Sequence, residues 1–153
     1  VTIPADTGAM IADETTGWTL WDHGGSGEWP EQWPAVAWRP ITQERIVCTL
    51  LPPAHAGNRL GYLHGGFLAS YAETCLGLFS EAQPDGCGTV TVSLHLDYPA
   101  PARVGLALTG EAELLRETGR MQFVRLDLRQ EGALVLTASG VLRKVPRASA
   151  DKG

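Results

Sequence analysis

Gly66-Phe67-Leu68-Ala69-Ser70-Tyr71-Ala72-Glu73-Thr74-Cys75-Leu76-Gly77-Leu78-Phe79-Ser80-Glu81-Ala82 contains no proline, and Leu68, Ala72, Cys75, Leu76 and Phe79 recur in it at helical spacing. The spacing predicts a helix over 66–82. Phe67, Ala69, Tyr71 and Leu78 are small or apolar too, so the helix is apolar on nearly all sides. A helix of that kind belongs inside a protein, not on its surface. Something must wrap it.

The flanking sequence supplies the wrapping. After the turn Gln83-Pro84-Asp85-Gly86 come four strand-like segments, at 89–98, 104–116, 121–130 and 133–145. Phe123, Arg125, Asp127 and Arg129 alternate with Val124, Leu126 and Leu128, the period of a strand with one face buried. The turns Pro99-Ala100-Pro101, Glu117-Thr118-Gly119-Arg120 and Glu131-Gly132 are short, which predicts four antiparallel neighbours in chain order. Upstream, Arg45-Ile46-Val47-Cys48-Thr49-Leu50-Leu51 reads as a strand stopped by Pro52-Pro53. The expected class is α+β, a meandering antiparallel sheet around one long central helix.

All five tryptophans (Trp18, Trp21, Trp29, Trp33, Trp38) fall within 17–40, among four glycines and three prolines. That density of breakers predicts short extended pieces joined by loops. The tryptophans either cap the core or a subunit interface, or line a pocket. We divide the chain into an N-terminal arm with this segment (1–40), one domain (41–145) and a flexible tail (146–153).

The chain has 153 residues, enough for a single well-buried core. A hydrophobic fraction of 44% and a formal charge of −5 fit a globular protein and argue against a nucleic-acid surface. Neither a signal-peptide pattern nor a stretch of membrane-spanning length is present, so a cytoplasmic protein is expected. Cys48, Cys75 and Cys87 lack CxxC spacing, and His23, His55, His64 and His95 lack ligand spacing. Reduced thiols and no metal are therefore expected.

The chemistry concentrates in 58–73. Gly65 and Gly66 open the helix, where free N–H groups and the positive end of the helix dipole suit a carbonyl oxygen gaining negative charge. That is the requirement of an oxyanion hole. Glu73 is an ionisable group on an otherwise apolar helix, and burial there would raise its pKa and make it a better base. Gly65 and Glu73 are eight positions apart, about 12 Å along a helix. Both cannot act on one carbonyl carbon, which needs its reacting groups about 3 Å away. Two such helices packed antiparallel would bring Gly65 of one chain beside Glu73 of another, so a homodimer with sites at its interface is expected.

Asn58, His64-Gly65-Gly66 and Glu73, followed by the strand 89–98 ending in Pro-Ala-Pro-Ala and the last hairpin from Gly119-Arg120 to Ala138-Ser139-Gly140, resemble the hot-dog acyl-CoA thioesterases over roughly residues 40–145. The resemblance is in particular to the phenylacetate-degradation (PaaI-type) and 4-hydroxybenzoyl-CoA thioesterase branches. The resemblance implies a hot-dog fold and hydrolysis of an aromatic or short- to medium-chain acyl-CoA without a cofactor. It also implies a homodimer that assembles further into a homotetramer. Catalytic roles fall on Glu73, as base or nucleophile, on Gly65 and Asn58, which polarise the carbonyl, on Thr91, which orients Glu73, and on His64. Substrate contacts fall on Gly66, Tyr98, Gly119, Arg120 and Lys144, the last two toward the CoA phosphates. Many PaaI-type members carry Asp where this chain has Glu73, so base and nucleophile both stay open.

Simpler roles stand beside these. Glu73 could be an ion-pair partner, Asn58 a turn cap, Thr91 a plain strand residue, His64 a brace of its loop, and Arg120 and Lys144 solvated charges. A second HGG, His23-Gly24-Gly25, has neither helix nor acid after it and reads as a loop. A hot-dog dehydratase would carry prolines after its histidine, which this chain lacks, whereas a non-catalytic acyl-CoA-binding module remains a separate possibility because fold alone proves no catalysis.

Overall fold

The predicted helix forms as α1 (Gly65–Glu81), displaced by one residue from the expected limits. The computed structural model describes residues 17–21, 34–81 and 87–146. Around α1 the described residues form a seven-stranded antiparallel sheet: β1 (Thr19–Trp21), β2 (Val36–Pro40), β3 (Arg45–Leu50), β4 (Cys87–Asp97), β5 (Leu108–Glu117), β6 (Met121–Gln130) and β7 (Ala133–Pro146). The order across the sheet is β1-β2-β3-β5-β6-β7-β4. This is the helix-in-sheet architecture that the apolar stretch required.

The core lies between the helix and one sheet face. Leu68, Tyr71, Ala72, Cys75, Leu76 and Phe79 are buried against Ile46, Cys48, Leu50, Leu108, Val124, Leu126, Leu128 and Leu142. The alternation read in β6 is realised, with Val124, Leu126 and Leu128 inside and Phe123, Arg125 and Arg129 exposed. Each leucine so buried contributes about 1.5–3 kcal/mol. The β6–β7 turn works because Glu131 (φ 49°) and Gly132 (φ 84°) both take positive φ, the backbone that closes a two-residue hairpin without splaying its strands.

The expected strand order needs one correction. β4 does not neighbour β5; it pairs with β7 at the edge, Leu94 opposite Gly140 and Leu96 opposite Ala138. The reason is the connection. Pro99-Ala100-Pro101 is not a tight turn but part of a crossover, residues 98–107, because β5 begins at Leu108 and not at Val104. That crossover carries the chain to the far side of β6 and β7, where β5 pairs with β3.

The tryptophan-rich segment adds strands to the same sheet. β2 pairs with β3 and β1 with β2, so the sheet starts before residue 41. Trp38 is buried in the main core and Trp21 packs against it. Trp18 packs with Ala37 and Val47 on the other sheet face, under the Arg39 guanidinium 5.1 Å from its ring. Trp29, Trp33, the second HGG, most of the arm and all but the first residue of the tail lie outside the described residues.

Cys48 on β3 and Cys75 on α1 are free thiols buried in the core, with the Cys48 thiol donating to Cys75 Sγ at 2.9 Å. Burial, then the neighbouring Cys48, pushes the Cys75 thiol well above its ordinary value; burial, then both cysteines, does the same for the Tyr71 phenol. Both groups hold their protons more tightly folded than unfolded. Their stability contribution is therefore complete below the ordinary thiol value of 9.0 and is lost as pH rises through the higher folded values. Thermal melts should show Tm falling above about pH 9, and a Cys75→Ala variant should show a shallower fall. An equally steep fall in that variant would remove Cys75 as a cause.

Candidate active site

The loop before α1 is built from short backbone bonds that aim its glycines. Asn58 N–H donates to Tyr62 O at 2.7 Å, Leu63 N–H to Ala102 O at 2.7 Å and His64 N–H to Ala56 O at 2.8 Å. Gly57 is needed here, because a Cβ on it would come within 2.7 Å of Val104 Cγ2. The Asn58 side chain turns the loop, its Oδ1 accepting from Leu60 N–H (2.8 Å) and Tyr62 N–H (3.2 Å). Its oxygen acts as a turn cap, while its amide nitrogen donates to no side chain or backbone group among the described residues.

His64 braces the helix start. Gly66 N–H donates to His64 Nδ1 at 3.0 Å, a side-chain cap on one of the free donors of the first turn. An Nδ1 that accepts places the proton of the neutral ring on Nε2. Gly65 N–H is bonded to no described residue, and Tyr98 Oη donates to Gly65 O at 3.1 Å. Tyr98 therefore fixes the peptide plane that follows the free donor.

Glu73 departs from expectation in its surroundings. In the single chain it is exposed, not buried. Beyond the exposed Gly65 at its start, α1 has an open stripe formed by Gly66, Ala69, Ser70, Glu73 and Gly77 at spacings of three and four, while its other described side chains pack toward the core. The apolar character that predicted burial on all sides belongs to the other positions; small residues fill the stripe around the acid. Leu78 is buried in the core, and Gly77 lies on the stripe with open space beside it.

Thr91, on β4, is hydrogen-bonded to the helix acid. Its Oγ1 donates to Glu73 Oε1 at 2.5 Å, so β4 orients the carboxylate of α1. A bulge at Val92, between Thr91 and Ser93, sets this up by shifting the register of β4 against β7. A hydrogen bond to a charged group contributes about 1.5–3 kcal/mol. If it is expressed in the transition state, Thr91→Val should lower kcat/KM by about tenfold to hundredfold. A variant as active as the parent would reduce Thr91 to a strand residue.

The hairpin toward which CoA was expected is less free than the sequence suggested. Lys144 Nζ is 2.7 Å from Glu117 Oε1 and the pair is largely shielded, with Gln122 Nε2 donating to the other Glu117 oxygen at 2.9 Å. Lys144 would have to leave Glu117 to meet a phosphate. Arg120 is exposed in the Thr118–Met121 turn, and Gly119 beside it has open space around it. The structure thus groups Asn58, His64, Gly65, Gly66 and Tyr98 at one end of α1. Glu73 and Thr91 sit about two turns along it, and Arg120 and Lys144 lie on the β5–β6–β7 end of the sheet.

One long helix wrapped by an antiparallel sheet, with an unbonded backbone donor at its start and a carboxylate held by Thr91 on its open side, is the architecture of a hot-dog-fold protein. The thioesterase superfamily model matches residues 60–137, and the chain belongs to that family. Acyl-coenzyme A thioesterase 13 of Mus musculus is 26% identical over 97 residues, 63% of this chain and 69% of that protein. A Pseudomonas aeruginosa protein provisionally named an esterase is 35% identical over 106 residues, 67% of this chain and 78% of that one. Among solved structures, a phenylacetic acid degradation-related protein of Ralstonia eutropha superposes with a TM-score of 0.65 at 26% identity, over 69% of this chain and 82% of that one. No helix among the described residues is long and apolar enough to cross a membrane.

Proposed function

We propose that the protein hydrolyses an acyl-CoA to the free acid and coenzyme A, at sites built by two copies of the chain. The observation that carries this is the Thr91-oriented Glu73 on the open stripe of α1, facing away from its own chain's core. Its own Gly65 lies about 12 Å away along the helix. The edge strand β4 supports pairing of copies: it has 11 residues, lies at the end of the sheet order and carries exposed Val90 and Val92. A long edge of β-branched residues left open is a template for another strand. Pairing there would bring the open stripes of two helices together. Two such pairs would make the homotetramer that the family resemblance implies.

In the reaction, the substrate carbonyl oxygen receives the Gly65 N–H, with the Asn58 amide as a second donor. As general base, Glu73 of the second copy takes a proton from water, whose oxygen attacks the carbonyl carbon. The tetrahedral oxyanion collapses, the C–S bond breaks, and the CoA thiolate leaves and is protonated. As nucleophile, a Glu73 oxygen attacks instead, expels the thiolate and leaves a mixed anhydride that water opens. Backbone donors placed where charge develops contribute most in either route. Arg120 is an exposed cation at the β5–β6 hairpin, available to the CoA phosphates.

The mouse relative's name supports the acyl-CoA class, and the Ralstonia protein's name supports an aromatic acyl group. A thiol-release assay over phenylacetyl-, benzoyl-, acetyl-, hexanoyl- and decanoyl-CoA tests the proposal. Turnover of at least one is the expected result. Tight binding of these thioesters with no thiol released from any would instead make the chain an acyl-CoA-binding module.

A further inference from the structure

We infer that Gln130, at the far end of β6, is the positioning residue that holds the oxyanion donor Gly65 in place; this rests on the proposed hydrolysis. Gln130 is 6% exposed, yet its side chain is not a sheet contact. Its Oε1 accepts Arg103 N–H at 2.6 Å, and its Nε2 donates to Arg103 O at 3.0 Å and Leu106 O at 3.1 Å. One amide thus satisfies both backbone groups of Arg103, as a neighbouring strand would, and pins the crossover 98–107 where no strand reaches it.

The crossover is the wall against which the site loop is built. Arg103 bridges to Tyr62, and Ala102 O accepts Leu63 N–H at 2.7 Å, immediately before His64 and Gly65. At its other end the crossover begins with Tyr98, whose hydroxyl donates to Gly65 O. Gln130 therefore reaches Gly65 along two routes, through Arg103 to the 62–63 backbone and through the crossover to Tyr98. A buried glutamine with both ends of its amide used is costly to replace by an apolar side chain, because Arg103 N–H and two carbonyls lose their partners. A misplacement of about 1 Å at an oxyanion donor can lower a rate about a hundredfold without touching the substrate's remote contacts. Gln130 touches no reacting atom, so its effect must appear in kcat rather than in binding.

The test is Gln130→Met, which keeps length and loses all three bonds, together with Gln130→Glu, which keeps acceptance from Arg103 N–H but sets a carboxylate against two carbonyls. Ile46→Val on β3 serves as the control for general loss of core packing. For both Gln130 variants we expect kcat on the best acyl-CoA to fall at least tenfold with KM within about threefold, whereas Ile46→Val keeps kcat within twofold. Amide hydrogen exchange should speed up in a peptide spanning 60–66 in both Gln130 variants and not in the control. Unchanged kcat with unchanged exchange in an active protein overturns the inference, as does an equal kcat loss in Ile46→Val. If the parent protein releases no thiol, the proposed hydrolysis fails, and the exchange arm, which needs no substrate, still decides whether Gln130 anchors the Gly65 loop.

Discussion

Glu73→Gln should lower kcat for thioester hydrolysis by about 10²- to 10⁴-fold, the range a positioned acid–base group contributes. The substitution is close to isosteric, and its amide oxygen can still accept from Thr91 Oγ1, so orientation is kept and basicity removed. KM should stay within a few-fold, because the polarising donors and the CoA contacts lie elsewhere. Stability should hardly change: Glu73 is exposed on the open stripe of α1, and among the described residues its carboxylate is hydrogen-bonded to Thr91 alone. Thiol release under saturating acyl-CoA, read with a thermal melt of the same preparation, separates the two effects. Retention of more than a tenth of parental kcat would rule out Glu73 as base or nucleophile. A large drop in Tm alongside lost activity would instead favour the structural role that the sequence left open.

The helix and its wrapping were legible because they rest on periodicity, which is local. Leu68 to Phe79 repeat at helical spacing, and 121–130 alternates so cleanly that β6 has the expected bounds. What periodicity could not supply was pairing order. β4 and β5 are separated by residues of turn-like composition, and nothing in Pro99-Ala100-Pro101 says whether the chain reverses or crosses over; the crossover is fixed by Gln130 and by Ala102, which are far from it or bland in sequence. The motif residues came as a set from the family resemblance, Thr91 among them because related enzymes carry a Ser or Thr at its place; the contact of Thr91 with Glu73 needed the fold. Glu73's exposure was not foreseen, since a count of apolar residues around a helix does not show that the small ones align on one stripe. Lys144 read as a free cation because its partner, Glu117, is 27 positions away.

Gly65→Pro should lower kcat by about 10²- to 10³-fold, the cost of removing one oxyanion-hole donor, while leaving α1 intact. Gly65 is the first residue of the helix, the one helical position where proline is favoured because its N–H serves no helical bond. An added Cβ would sit 3.7 Å from the Tyr98 ring, an ordinary contact. The substitution therefore removes the donor and little else, and unchanged far-ultraviolet circular dichroism would verify that. Mixing it with Glu73→Gln then tests where the two halves of the site reside. If Gly65 of one copy works with Glu73 of the other, each mixed pair of chains holds one site with both groups intact and one with neither. Random exchange makes half the pairs mixed, so activity should return to about a quarter of the parental level, far above either variant alone. If both groups acted within one chain, every site in the mixture would lack one of them and no activity would return. The roughly 12 Å between Gly65 and Glu73 along a rigid helix makes recovery the expected result.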